Sequence, residues 1–198
     1  AALSADSWLS CANCHFDGLS DGRVWQGFPG GPRNTPVLFG LNASAPYNWS
    51  ATWSDLSQVD EKIHWLQAGT GLADEQSTGS LLDIRLLVDY LTDVPASAAS
   101  PNSYDSAVIE AGRLLFEAQG CADCHTGDAG IDGLMHDVDT GGSFDTPSLR
   151  WLWSSAPYLH DGSAGNLTEL FSMPGAHELA GILKPDEIQA LVAYLLTR

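Results

Sequence analysis

Basic side chains are scarce in this chain: eight Lys and Arg stand against twenty-five Asp and Glu, for a formal net charge of −17. No Lys/Arg cluster could neutralise a row of phosphates, which excludes nucleic acid as a partner and suits solubility and a partner with a basic face. Long apolar runs are missing too. The stretches around Leu81 to Leu91 and Ile188 to Leu196 are broken by Asp, Arg or Gln, well short of the ~20 residues of a membrane-spanning helix. No secretory leader is present, and the chain opens on Ala1-Ala2-Leu3-Ser4; the expectation is a cleaved precursor or a piece of a longer protein. Cysteine is absent outside two pairs, so nothing suggests a disulfide framework.

What is present concentrates on those pairs. Cys11-Ala12-Asn13-Cys14-His15 and Cys121-Ala122-Asp123-Cys124-His125 both fit C-x-x-C-H, the attachment signature of c-type haem. Two thiols three residues apart on a turn can form thioethers with the two vinyl groups on one porphyrin edge, and the next side chain falls under the iron as its proximal ligand. A zinc site made from such pairs would separate them by ~15 to 20 residues, whereas more than a hundred intervene here, and each pair has its own histidine. A thioredoxin-like dithiol needs a βαβ setting that the sequence does not offer. The expectation is two covalently attached haems.

The halves repeat. Thr35-Pro36-Val37-Leu38 matches Thr146-Pro147-Ser148-Leu149, and Ala45-Pro46-Tyr47 matches Ala156-Pro157-Tyr158, each at an offset of 111, while the cysteines pair at 110. Leu87-Val88-Asp89-Tyr90-Leu91 answers Leu191-Val192-Ala193-Tyr194-Leu195 at a shorter spacing. Each half is therefore read as leading helix, haem motif, long Gly/Pro/Trp-rich loop and closing helix. In the second half the leading helix carries Ala107, Ala111, Leu114, Leu115 and Ala118 at helical spacing, with Gly120 as its stop; the closing helix starts at Pro185 and buries Ile188, Leu191, Val192 and Leu195. Leu82, Leu86, Val88 and Leu91 take that role in the first half. Val94-Pro95 to Pro101-Asn102 reads as a linker, dividing the chain into residues 1–95 and 101–198. Loops this long are uncommon without a group to pack against, and a haem supplies one.

Gly31-Pro32-Arg33-Asn34-Thr35-Pro36 with Trp49, and Thr146-Pro147-Ser148-Leu149-Arg150 with Ala156-Pro157-Tyr158-Leu159-His160-Asp161-Gly162, resemble the recurring motifs of the bacterial dihaem cytochrome c peroxidase and MauG-type superfamily. A closer resemblance is to the dihaem modules of surface β-propeller proteins. The resemblance implies a mainly α fold of two tandem cytochrome c-like domains, each wrapped around one haem, in the periplasm or at the cell surface. It implies that Asn34 and the carbonyls of Ser155 and Pro157 hold a calcium ion, although an asparagine capping a turn reads equally well. It also implies that Trp49 lies between the haems as an electron relay. The histidine that the family sets five residues before Gly-Pro-x-Asn is Gln26 here, and no acidic residue for peroxide cleavage is evident beyond Asp74 and Glu75.

For the far side of the second iron Met173 is the first choice, with His177 and His160 as alternatives; for the first iron it is His64, which projects onto Gly175. His136 and Met135 are read as structural. The expected function is electron transfer outside the cytoplasm to or from a redox protein or larger surface assembly, with a peroxide reductase or MauG-like oxidase as the alternative and a docking module that wires such an assembly as a third reading.

Overall fold

The computed structural model of the chain describes residues 3–72, 80–93 and 99–198. Asp74, Glu75, the Val94–Ala98 part of the linker and the Leu82 side chain lie outside the described residues. In chain order the regular elements are α1 (Cys11–Cys14), β1 (Val24–Trp25), β2 (Arg33–Asn34), α2 (Val59–Trp65), α3 (Ser80–Asp93), α4 (Ser106–Ala118), β3 (Met135–Asp137), β4 (Ser143–Asp145), α5 (Leu167–Leu170) and α6 (Pro185–Leu195). The fold is mainly helical, with two short antiparallel ribbons, β1–β2 and β3–β4.

The 111-residue offset survives in three dimensions, down to single hydrogen bonds. Val24 pairs with Asn34 and Met135 with Asp145, the same register moved by 111. Trp25 Nε1 donates to Asp21 at 2.9 Å, and at the equivalent place His136 Nε2 meets Asp132 at 2.6 Å. Isolated bridges join Tyr47 to Trp53 and Tyr158 to Ala164. Asp55 caps the turn leading to α2, its counterpart Asn166 caps α5, and each accepts a backbone N–H with its side-chain oxygen. These ribbons were not foreseen, because two or three residues of strand carry no readable periodicity.

The halves meet through a reciprocal exchange. Asn34 N–H donates to the His160 carbonyl at 2.6 Å, and Asp145 N–H donates to the Trp49 carbonyl at 3.0 Å; both donors and both acceptors are related by the same offset. A Cβ added at Gly22 would come 3.5 Å from the Ala156 carbonyl, and one at Gly133 would come 3.4 Å from the Ala45 carbonyl. The seam thus has the character of a local two-fold, in which each half gives what it receives. Gly162, of the Tyr-x-His-Asp-Gly motif, has φ +66 and would place a Cβ 2.3 Å from Val24 Cγ2, so both its backbone and its neighbour require glycine.

The main core belongs to the second half. Ile188, Leu191 and Leu195 of α6 pack with Phe116 of α4, Leu149, Leu152, Tyr158, Leu167 and Phe171, each large side chain contributing about 1.5–3 kcal/mol on burial. The start of α6 at Pro185 is as expected, although Val192 is only partly buried. Helix α4 forms where expected but turns a different face inward. Leu114 is 52% exposed and Ala107, Ala111 and Ala118 are exposed, while Gly112 and Phe116 are buried. The cause is Gly112: a Cβ there would come 2.0 Å from the Ala190 carbonyl, so the two helices touch backbone to backbone along that line. On α3, likewise, Ile84 is buried and Leu86 exposed. No leading helix precedes Cys11 among the described residues; Ala5–Ser7 form a single 3-10 turn, and Ser4 uses its hydroxyl to accept from Leu9 N–H. Among the described residues no helix is long and apolar enough to cross a membrane.

Two predictions follow from this packing. Gly112→Ala would ordinarily gain helix propensity of about 1 kcal/mol; here the forced separation of α4 from α6 outweighs it, and chemical denaturation should show a net loss of about 1–3 kcal/mol. Burial, with the Asp132 charge nearby, pushes the Asp145 carboxyl up to about 7. The folded chain therefore keeps a proton that the unfolded chain releases above about pH 4, and this contribution to stability is lost as pH rises through 7. Asp145→Asn should be increasingly more stable than the parent between pH 4 and pH 8, and parallel pH–stability curves would contradict it.

Candidate functional site

Both C-x-x-C-H histidines are built the same way. The α1 turn ends at Cys14, and His15 Nδ1–H donates to the Pro36 carbonyl at 3.0 Å. In the second half a 3-10 turn covers Cys121–Asp123, Gly120 supplies the left-handed residue that ends α4, and His125 Nδ1–H donates to the Gly130 carbonyl at 2.8 Å. A carbonyl can only accept, so each ring carries its proton on Nδ1 and keeps the Nε2 lone pair free, the orientation in which a histidine ligates a metal. Burial lowers the pKa of both imidazoles, opposed by these carbonyls and by Asp21 or Asp132. The neutral ring that iron requires is thereby favoured.

All four cysteines are unpaired and partly buried, and burial raises the pKa of each. Neutral thiols beside a metal-ready imidazole fit thioether attachment better than a reactive dithiol, which needs a depressed pKa. The donor set fits a haem at each motif.

In the second half a cavity is lined by residues that include Val138, Asp139, Leu159, Leu170, Met173, Gly175 and His177. It brings together two of the ligand candidates, Met173 and His177. Burial and then the His125 charge lower the pKa of His177, so the two imidazoles stand within electrostatic reach of each other. His160 lies elsewhere: its ring stacks on Phe144 with centroids 3.6 Å apart and meets the Trp49 edge at 6.4 Å.

In the first half His64 sits on α2 with Nε2 3.3 Å from Asp60 Oδ2 and a side chain 51% exposed. Its neighbour Lys62, which the sequence reading did not single out, projects Nζ 4.4 Å from the Trp53 ring centroid and 5.2 Å from that of Phe28. Burial, together with Arg33, pulls the Lys62 amine down to about 8. The signal that could have found it is its place in the repeat, at the position of Met173.

Between the two motifs Trp49 Nε1 donates to the Asn34 carbonyl at 2.9 Å. Arg33 lies 5.3 Å over the Phe144 ring, Phe144 stacks on His160, and Trp49 meets His160 at a steep angle, so the four form a row of contacts across the seam. The Asn34 amide contacts the Pro157 carbonyl and, at 3.4 Å, that of Leu159, while its Oδ1 is buried without a partner among the described residues. The structure thus brings Asn34 to Pro157 and adds Leu159; Ser155 uses its hydroxyl to donate to Trp151 O at 3.0 Å. Met135 is exposed on β3, and His136 is engaged by Asp132.

Comparison with known proteins agrees with this chemistry. The cytochrome c family matches residues 109–198. Over 98% of its length the chain is 24% identical to hydrazine synthase subunit gamma of Kuenenia stuttgartiensis and 24% identical to cytochrome c551 peroxidase of Pseudomonas aeruginosa, spanning 73% of each. In fold it is similar to K. stuttgartiensis hydrazine synthase, with a TM-score of 0.83 at 23% identity over 100% of this chain and 83% of that one. It is also similar to a MauG-like protein associated with microbial copper homeostasis, with a TM-score of 0.71 at 21% identity over 98% of this chain and 83% of that one. The family match and these relatives point to a redox protein with covalently bound haem c, and over nearly its whole length the chain is similar to bacterial cytochrome c peroxidases, with the fold also seen in a MauG-like protein.

Proposed function

We propose that the chain is a dihaem c-type cytochrome that transfers electrons outside the cytoplasm, with residues 1–95 and 101–198 each holding one haem. The observation that carries this reading is the repetition of the proximal site: both imidazoles are tied through Nδ1 to a loop carbonyl and both keep Nε2 free. Bound haem supplies a one-electron iron couple. The protein's part is to fix and close that couple. Cys11, Cys14, Cys121 and Cys124 anchor the porphyrin edges, and His15 and His125 ligate. Met173 or His177 closes the second iron, where a thioether raises the potential and an imidazole lowers it.

Trp49, His160 and Phe144 form the aromatic passage between the halves, held in place by the reciprocal seam. Asn34, whose Nδ2 contacts the Pro157 and Leu159 carbonyls and whose Oδ1 is buried without a partner among the described residues, supports an oxygen-donor calcium site that would pin the same seam. The strongly acidic chain suits a donor or acceptor with a basic docking face. The covalent haem itself supports a periplasmic or cell-surface location, by resemblance to the family.

Electron transfer is favoured over peroxide reduction because Met173 and His177 both line the cavity of the second half, and because Gln26 stands where the family's histidine would be. Reductive titration should give two one-electron steps, with no consumption of hydrogen peroxide in the oxidised or half-reduced state. Rapid peroxide turnover by the half-reduced protein would overturn the assignment in favour of an oxidoreductase of small oxidants. For the calcium site, chelation should lower the thermal midpoint of the parent and leave Asn34→Ala unmoved; equal shifts in both would remove it.

A further inference from the structure

The second half has a methionine at the mouth of its cavity, and the first half has no methionine at all. Subtracting the offset of 111 from Met173 gives Lys62. The equivalence holds in the surroundings: Asp139, which lines the Met173 cavity, corresponds to Phe28, and the Lys62 amine lies over the Phe28 ring. The second wall is Trp53, 4.4 Å away and fixed by its bridge to Tyr47, as Ala164 is fixed to Tyr158.

Lys62 is held by two rings and not by an anion. Among the described residues no carboxylate lies within ion-pair distance of it. Asp60, two residues away, is engaged by His64 at 3.3 Å and by Leu72 N–H at 2.5 Å. His64 is the poorer candidate, with its Nε2 turned to that carboxylate and against Gly71, and half its side chain in solvent.

We propose that Lys62 Nζ, in place of His64, is the sixth ligand of the iron carried by His15, so that the two centres differ: imidazole and amine in the first half, imidazole with Met173 or His177 in the second. This rests on a haem being attached at Cys11 and Cys14. Coordination forms one iron–nitrogen bond, and one proton leaves the lysine ammonium for solvent; no oxidation or reduction is involved. The competing role for an aromatic-lined lysine is to neutralise a haem carboxylate, which an arginine would also do.

The test uses the haem-loaded chain and its Lys62→Arg, Lys62→Met and His64→Gln variants. A pyridine haemochrome count comes first; one haem, missing at Cys11 and Cys14, fails the reading of the first site and not the ligand assignment. With two haems present, paramagnetic resonance of the ferric protein should show His64→Gln unchanged. Lys62→Arg should convert the first centre's low-spin signal to high-spin or to a different low-spin species, and Lys62→Met should bring in the far-red band of a thioether ligand. The second centre's signal, unchanged throughout, reports an intact fold. Both Lys62 variants keeping the parental low-spin signals would overturn the proposal. Should the variants fail to fold, near-infrared magnetic dichroism of the unmodified protein separates amine–imidazole from bis-imidazole iron, and a bis-imidazole band at the first centre overturns it equally.

Discussion

Two hydrogen bonds, from His15 Nδ1 to the Pro36 carbonyl and from His125 Nδ1 to the Gly130 carbonyl, set the terms for the rest of the molecule. Each would add only about 1 kcal/mol to stability. Their importance is geometric, because they decide which nitrogen carries the proton, which one is free, and where the free one points. The Thr-Pro loops have a fixed place for this reason. Pro36 bonds the imidazole of its own half, and the Pro147 carbonyl, its equivalent, acts on His125 as well.

The duplication works as a mechanical device as much as an evolutionary trace. Once one half presents an N–H and a carbonyl at positions related to those of the other, a two-fold arrangement satisfies both sets together, as Asn34 with His160 and Asp145 with Trp49 do. Only the backbones are obliged to match. The side chains on this frame have diverged: Trp49 stands where the second half has His160, Arg33 where it has Phe144, and Asn34 where it has Asp145. These are the substitutions that give one seam a row of aromatic contacts and a buried amide oxygen unpartnered among the described residues.

Much of this was legible in the sequence. The haem motifs, the offset and the start of α6 at Pro185 all follow from short-range patterns that need no tertiary context. The inward face of α4 was not, because small residues recur on both sides of that helix, and what selects the Gly112–Phe116 line is the backbone of α6 more than seventy residues away. Lys62 was missed for a similar reason. A lysine two residues from a histidine draws no notice until Trp53 and the sequence-distant Phe28 are seen beneath its amine. The seam hydrogen bonds were invisible, since backbone groups leave no mark on composition.

The account depends on both motifs carrying porphyrin through the same covalent chemistry. Intact-mass measurement of the chain matured in an oxidising, cytochrome-assembling compartment, combined with a count of reactive thiols, examines that directly. The expected result is the polypeptide mass plus two haem groups, with no free thiol. A mass showing one haem or none, with Cys11 and Cys14 or Cys121 and Cys124 still reactive, would contradict it.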